Sequence, residues 1–342
     1  MAKEIVTKIL ELADEIPVAY GFLISTSSER EKTTRYMYGE ELKLFFEYLI
    51  SYDPNFCNKT LQDITIEDLK LISSESISFY LSHSLDHGLK ERTVARKRAS
   101  ISSFFRYLCD NKKLDYNPVS AASHVKIHSS DQVIHLTLEE QNKFIRAVFT
   151  GNDLDKRKQT YHNKYAYRDR AIVIMLLDTG MRNSELRGID IQDVDFDECN
   201  VLIRRKGGFF QTLYFSDTTK EVLIDYLQER RSHNPDLKDS DPLFVTLKGD
   251  RLSASTLQKL IKKYAISSIP GKGQLITPHK MRSSSAMEFY AETKDILSLQ
   301  KRLGHKSLQA TNIYAKATNE QMKEQRNIIG KKWNLWNTPA TF

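Results

Sequence analysis

Residues Thr277 to Tyr314 read TPHKMRSSSAMEFYAETKDILSLQKRLGHKSLQATNIY. Pro278 pre-sets the first turn of a helix, and the pattern predicts helices over 279–291 and 293–302. His279 and Arg282 lie three positions apart, which puts both on one face of that helix start. Free N–H groups and the macrodipole favour an anion at the same end. Gly304 lets the backbone come close just before His305, and Tyr314 follows His305 by nine positions (314 − 305). The stretch reads as a pocket for one phosphate with a tyrosine hydroxyl delivered to it. Further cations must come from elsewhere in the chain.

Working upstream, the strongly apolar run in Tyr167 to Asp178 predicts a core helix. It ends in Thr179-Gly180-Met181-Arg182-Asn183-Ser184-Glu185-Leu186, where Gly180 turns the chain. Arg182 then leaves the end of a buried element, placed rigidly enough to clamp an anion. Glu185, three positions on, is positioned to orient it. From Val194 to Ser216 the pattern alternates and breaks at Lys206-Gly207-Gly208, predicting strands joined by a hairpin turn. Lys206 at that turn is a mobile donor within reach of a phosphate. Taken singly, Arg182, Lys206 and Tyr314 read more readily as ordinary surface or core residues, and His279, Arg282 and His305 are weak signals too. Helices are also predicted over 217–231 and 253–264, and residues 151–165 (GNDLDKRKQTYHNKY) as a loop.

The first 120 residues read as helical. Tyr38, Leu42, Phe45, Phe46 and Leu49 recur at helical spacing. Thr65 to Asp68 forms a capping-box pattern that opens a helix toward Ile77 and Leu81. A further helix from Glu91 to Cys109 carries Val94, Ile101, Phe104, Phe105 and Leu108 on one face. Arg92, Arg96, Lys97 and Arg98 crowd its first half, either as a solvated face or as cations for DNA phosphates. Asn117-Pro118 stops the helical region. A second capping box, Thr137 to Glu140, opens a second domain. The expected division is 1–120, a linker over 121–136, a second domain over 137–318 and a tail over 319–342. Ile328, Ile329, Trp333 and Trp336 in that tail need an apolar partner, in cis or in trans.

The 342-residue chain is long enough for two domains, with 40% hydrophobic and 28% charged residues. No window approaches the ~18 apolar residues of a membrane span, and the amphipathic N-terminus lacks a signal-peptide pattern. Cys57, Cys109 and Cys199 fit neither a disulfide framework nor a zinc site, so a reduced, cytoplasmic setting is expected. The net charge of +7 suits a polyanion partner.

The ordered set Arg, Lys, His-x-x-Arg, His and Tyr, carried by TGMRNSEL, RRKGG, TPHKMR and LGHKSLQATNIYAKA, resembles the tyrosine recombinase (phage integrase) family. The resemblance spans residues 137 to about 318, and the N-terminal region looks like the family's core-binding domain. It implies a mainly α fold with a small antiparallel β-sheet: an N-terminal helical-bundle (SAM-like) domain and a C-terminal mixed α/β catalytic domain. It also implies roles. Arg182 and Arg282 would clamp the scissile phosphate, and Tyr314 would attack it to give a 3′-phosphotyrosine. Lys206 would protonate the departing 5′-oxygen, His279 and His305 would assist proton transfer, and Glu185 would support Arg182. Cations do the charge neutralisation, so no metal and no nucleotide is expected. The expected partners are double-stranded DNA recombination sites and further copies of the chain in a homotetramer, with no membrane. Integration or excision of a mobile element is the expected task, with Xer-like dimer resolution or inversion as the alternative. Relaxation of the type IB topoisomerase kind and a silent DNA-binding regulator are more distant readings. Two departures from the family pattern stand out: Ser283 after Arg282, and Phe209-Phe210 after the glycine turn.

Overall fold

The computed structural model describes residues 2–25, 32–123, 133–205, 207–246, 248–305 and 307–317. The chain divides into two compact units, 1–129 and 130–342. Lys206, much of the expected linker and the tail with Ile328, Ile329, Trp333 and Trp336 lie outside the described residues.

The first unit is helical: α1 (Ala2–Glu15), α2 (Tyr20–Ile24), α3 (Lys32–Tyr52), α4 (Ile66–Leu69), α5 (Ser74–Asp86) and α6 (Glu91–Asp110). The apolar stripes place its core. Leu42, Phe45, Phe46 and Leu49 of α3 meet Phe104, Phe105 and Leu108 of α6, all buried, with Phe46 and Phe104 edge to face at 6.1 Å. Each such side chain contributes roughly 1.5–3 kcal/mol by leaving water. Thr65 caps α4 through the expected box with Asp68. The helix does not run on to Leu81, however. It ends at Leu69, and Ser73 starts α5 by accepting from the Ser76 N–H. A polar Ser-Ser pair that can cap its own downstream amides competes with helix continuation there.

The basic half of α6 needs correction. Lys97 is buried, and its ammonium donates to Glu41 at 2.8 Å and to the Tyr80 hydroxyl at 3.0 Å. It has no face left for a DNA phosphate. Arg98 donates to the Val119 carbonyl at 2.8 Å, tying α6 to the turn at Pro118–Ser120. Arg92 and Arg96 remain exposed, although Arg96 also reaches Glu41 at 2.9 Å.

The second unit begins with α7 (Leu138–Thr150), capped by the Thr137–Glu140 box, and α8 (Lys156–Thr179). Residues 156–165 are therefore helix rather than loop. Asp155 caps that start by accepting from the Lys158 N–H at 2.9 Å. The polar composition hid an inward face: His162 is buried, its Nδ1 3.0 Å from the Tyr264 hydroxyl. After α9 (Asn183–Gly188) come β1 (Val194–Asp195), β2 (Asn200–Arg204) and β3 (Phe210–Tyr214), an antiparallel sheet in that order. The β2–β3 register pairs Arg204 with Phe210. Gly207 and Gly208 take φ of 97° and 87° in the intervening turn, a region open to glycine. Beyond the sheet lie α10 (Asp217–His233), α11 (Ala254–Ser268), α12 (Pro278–Thr293), α13 (Ile296–Leu303) and α14 (Gln309–Ala317). The core of this unit gathers α8, α10, α11 and the inner face of the sheet around Ile172, Leu176, Val201, Ile203, Leu223 and Ile261. Among the described residues no helix is long and apolar enough to cross a membrane.

Candidate active site

Two turns and two helix starts converge in the second unit. Gly180 ends α8 in the left-handed region at φ 65°, and Arg182 caps α9 directly after it. Across from this turn, Thr277 caps α12 by accepting from the Lys280 N–H, with Pro278 in the first turn. The two segments come close because α12 presents small residues. Ser283, Ser284 and Ser285 are all buried, and Ser285 stands so near Gly180 that an added Cβ there would lie 2.9 Å from its hydroxyl. The close approach lets Arg282 donate from Nη1 to the Gly180 carbonyl at 2.7 Å and from Nη2 to the Leu303 carbonyl at the end of α13. Ser283, one of the two departures, sends its hydroxyl to the His279 carbonyl at 3.3 Å.

Glu185 is the hub beneath these groups and is only 3% exposed. Its Oε1 accepts from Arg182 Nη1 at 2.8 Å, its Oε2 accepts the Arg182 backbone N–H at 2.7 Å, and Arg282 Nη1 lies 4.0 Å away. Burial opposes its charge, but the two bonds from Arg182 and the charges of Arg205 and Arg182 outweigh that and hold its pKa below the usual carboxylate range. Arg205, which belongs to none of the expected site residues, donates to the same carboxylate at 2.9 Å and is itself buried. A signal for it was present. Val201 and Ile203 face inward along β2, and a period of two carries the next inward position to Arg205.

Three guanidinium groups thus surround one carboxylate. The excess positive charge registers on its neighbours. Burial, then the nearby Arg182, pushes the Arg282 pKa down to about 10, so it stays charged at neutral pH. His305, whose Nδ1 lies 3.0 Å from the Thr311 hydroxyl, is pushed down to about 4 by burial and then by Arg282, Arg182 and Arg205. His279 shows an edge to solvent, yet desolvation of its ring and the charges of Lys280, Arg282 and Arg182 hold it below the ordinary histidine value. A cation cluster short of negative charge is a binding site for an anion. The opening is a cleft of about 490 Å³ lined by Arg182, Arg187, Thr277, His279 and Arg282 among others, at the N-terminus of α12. A larger cleft of about 610 Å³ beside Arg168 and Tyr226 holds none of these groups.

Tyr314 lies on α14, 3% exposed, packed with Ala286, Met287, Leu299 and Leu303. It stands close enough to Arg282 for a negative charge on its oxygen to raise that residue's hold on its proton. Arg182, Glu185, His279, Arg282, His305 and Tyr314 are therefore brought together by one domain. Lys206 falls outside the described residues, but Arg205 before it and Gly207 after it place the turn's root. Arg205 N–H donates to the Phe209 carbonyl at 2.8 Å, and Gly208 N–H to the Arg205 carbonyl at 3.0 Å. Phe209 and Phe210, the second departure, are exposed beside that turn. Among the described residues no group of three or more His, Cys, Asp or Glu side chains could hold a metal ion.

Comparison with known proteins finds relatives along most of the chain. The phage integrase family model matches residues 148–321, and the model of the phage integrase N-terminal SAM-like domain matches residues 20–112. The tyrosine recombinase XerC of Caldanaerobacter subterraneus subsp. tengcongensis is 30% identical over 322 residues, covering 91% of this chain and 86% of that protein. The tyrosine recombinase XerS of Streptococcus mutans serotype c is 28% identical over 328 residues, covering 87% and 90%. Among solved structures, XerH bound to palindromic difH substrate in a post-cleavage complex superposes with a TM-score of 0.64 at 22% identity, covering 95% of this chain and 89% of that one. The Tn1549 transposon integrase in complex with transposon right-end DNA gives 0.65 at 18%, covering 92% and 99%. These last two show the shared fold. With a helical SAM-like unit, a mixed catalytic unit and relatives matched over most of their length, the chain belongs to the phage integrase family of tyrosine recombinases, enzymes that cleave and rejoin DNA in site-specific recombination.

Proposed function

We propose that Tyr314 is the nucleophile of this recombinase and that the cleft at the start of α12 receives the scissile phosphate. The observation that carries the reading is the Glu185-centred cluster, which holds Arg182 and Arg282 beside one opening. Attack by the Tyr314 oxygen forms its bond to phosphorus while the bond to the 5′-oxygen breaks. Negative charge grows on the non-bridging oxygens during this step, where preorganised guanidinium groups stabilise the transition state more than the ground state. His279 and His305, held neutral near pH 7, are placed to bond the phosphate and move protons. Lys206 supplies the proton to the departing 5′-oxygen. The phosphotyrosine keeps the bond energy, so a 5′-hydroxyl of another strand can displace Tyr314 without any nucleotide. The reaction draws its charge neutralisation from side chains and proceeds without a metal.

Double-stranded DNA carrying paired recombination sites is the substrate, and four copies of the chain assemble on two such sites. Arg92 and Arg96 of α6 are the exposed cations of the N-terminal unit that support phosphate contact there. The enzyme works in the cytoplasm. Integration and excision of a mobile element is one task for it. A second reading, Xer-like resolution of dimers, is favoured by relatives named XerC and XerS that match nearly end to end.

The test uses nicked duplexes with a randomised core, incubated with the protein in EDTA. The expected product is a protein–DNA adduct that survives denaturation, allows its site to be sequenced and is absent with Tyr314→Phe. Cleavage that requires added metal and leaves no adduct would overturn the reading. On plasmids carrying two recovered sites, efficient deletion between direct repeats with little joining of separate plasmids supports the Xer-like task.

A further inference from the structure

Arg187 lines the cleft at the start of α12, yet no step of the proposed cleavage uses it. It sits two positions past Glu185 on α9, about 200° further round the helix than that carboxylate. Its bonds lead away from the clamp. Nε donates to the Asn183 side-chain oxygen at 2.8 Å, one turn back on the same helix face. Nη1 donates to the Leu252 carbonyl at 3.4 Å. Among the described residues none of its bonds reaches Glu185, Arg182 or Arg282. A guanidinium carries five N–H donors, so most of those on Arg187 are left over.

Its charge is left over as well. Asp190, three positions on, pairs with Arg251 instead. Arg251 also donates to the Arg187 carbonyl at 2.8 Å, which brings a like charge close. Burial and then Arg251 lower the Arg187 pKa. A charge drawn from water is normally paired, and among the described residues Arg187 has no carboxylate partner. A tether alone explains little, because the bond to Leu252 is long and the bond to Asn183 stays within α9. The cleft of about 490 Å³ has room for roughly 16 water molecules, more than one phosphate fills. Along one strand of a duplex the next phosphate follows within roughly 3.4 Å of axis. A strand that sets one phosphate between Arg182 and Arg282 therefore carries its neighbour along the same cleft. We propose that Arg187, oriented by Asn183, binds a second backbone phosphate, next to the scissile one on the cleaved strand, and so sets the register of that strand against Tyr314. The inference rests on the reading of the cleft as the seat of the scissile phosphate. Arg182 and Arg282 meet charge that grows during attack, whereas Arg187 meets a phosphate whose charge does not change. It is a positioning residue.

In the test, the site recovered by adduct capture is remade with a single neutral methylphosphonate, at the scissile phosphate or at the first phosphate on either side. Single-turnover adduct formation is measured for the full-length protein and for Arg187→Met, which keeps an apolar stem. Loss of one charge-assisted bond predicts a fall of about 10- to 100-fold when one flanking phosphate is neutralised, and a like fall for Arg187→Met on the natural site. Together the two changes should cost less than about threefold beyond either alone, since each removes the same contact. Full additivity at both flanking positions, no loss in Arg187→Met, or coupling to the scissile position instead would overturn the proposal. Arg182→Ala is the control, and its loss should couple to the scissile position. If it does not, the reading of the cleft itself fails. If it does and Arg187→Met couples to neither flanking phosphate, only the second site fails. Should Arg187→Met not fold, as judged by circular dichroism, Asn183→Leu decides alone because it frees the guanidinium. Its loss on the natural site must shrink when one flanking phosphate is neutralised, and an undiminished loss overturns the proposal.

Discussion

Arg282 donates to the carbonyl oxygen of Gly180 across 102 positions of sequence, at 2.7 Å. This bond joins the two halves of the site. On one side stand Gly180 and the Arg182 turn, on the other α12 and the path to His305 and Tyr314. In the proposed chemistry the phosphate clamp takes one arginine from each half, so neither half would act without the other. The bond also takes one of Arg282's donors, and the Leu303 carbonyl takes another. The guanidinium is thereby locked in orientation before any substrate arrives, as preorganised charge stabilisation requires.

Gly180→Ala should loosen this junction. The new Cβ meets Ser285 Oγ at 2.9 Å and forces an alanine to φ 65°. The left-handed conformation alone costs roughly 1–2 kcal/mol. Thermal denaturation should show a lowered Tm, and adduct formation should fall beyond what the loss of folded protein explains. An unchanged Tm would mean that the turn relaxes freely and holds nothing in place.

Glu185 carries more than its sequence position beside Arg182 suggested. Its carboxylate separates three guanidinium groups, two of them, Arg205 and Arg282, buried. Glu185→Ala leaves Arg205 buried without a counter-charge, at a cost of about 3–5 kcal/mol. The urea midpoint should drop accordingly. Glu185→Gln retains acceptors and should lose less stability, while still slowing cleavage because Arg182 is no longer held by charge.

The local motifs were legible in sequence, and the partner that organises them was not. TGMRNSEL, TPHKMR and LGHKSLQATNIY are each written within one turn and its flanks, where glycine, proline and capping residues announce the backbone. The helical stripes of α3 and α6 were legible for the same reason, since a 3.6-residue period maps directly onto a buried face. Arg205 was hidden because an arginine beside a turn reads as solvated. Only the inward register of β2, set by pairing with β3, turns it toward Glu185. Lys97 misled in the opposite direction. Its neighbours Arg96 and Arg98 gave it the look of a basic face, while the helical period rotated it onto Glu41 and Tyr80. The period of two along β2 points Arg205 inward, but which carboxylate it meets there is a tertiary fact that follows only from the fold.

The pH dependence stems from His305. Its folded pKa of about 4 lies below the ordinary value of 6.5. Between those values the unfolded chain binds a proton that the folded chain refuses, so acidification favours unfolding. Stability is fully present above pH 6.5 and is lost as the pH falls toward 4. His279, also lowered, adds in the same sense. Urea midpoints measured from pH 7 to 4 should therefore decline, and His305→Gln should flatten the decline. A steeper decline in that variant would contradict the assignment. Bound DNA phosphate offsets Arg282 and Arg182, so the His305 resonance should titrate at higher pH in the complex than in the free protein.

The basic half of α6 separates by a salt-dependence measurement. Each phosphate contact releases counterions, and losing one lowers the slope of log K against log salt by about 1. Arg92 is exposed, so Arg92→Ala should reduce that slope by about 1 and leave stability within about 0.5 kcal/mol. Lys97→Met should behave in the reverse way. It removes a buried donor from Glu41 and Tyr80, with a loss of about 1–3 kcal/mol, while Arg96 still holds Glu41 at 2.9 Å. Its salt slope should match that of the unaltered protein. A reduced slope in Lys97→Met, with stability unchanged, would show that the ammonium leaves Glu41 for DNA, and α6 would then present a cation that the folded unit keeps buried.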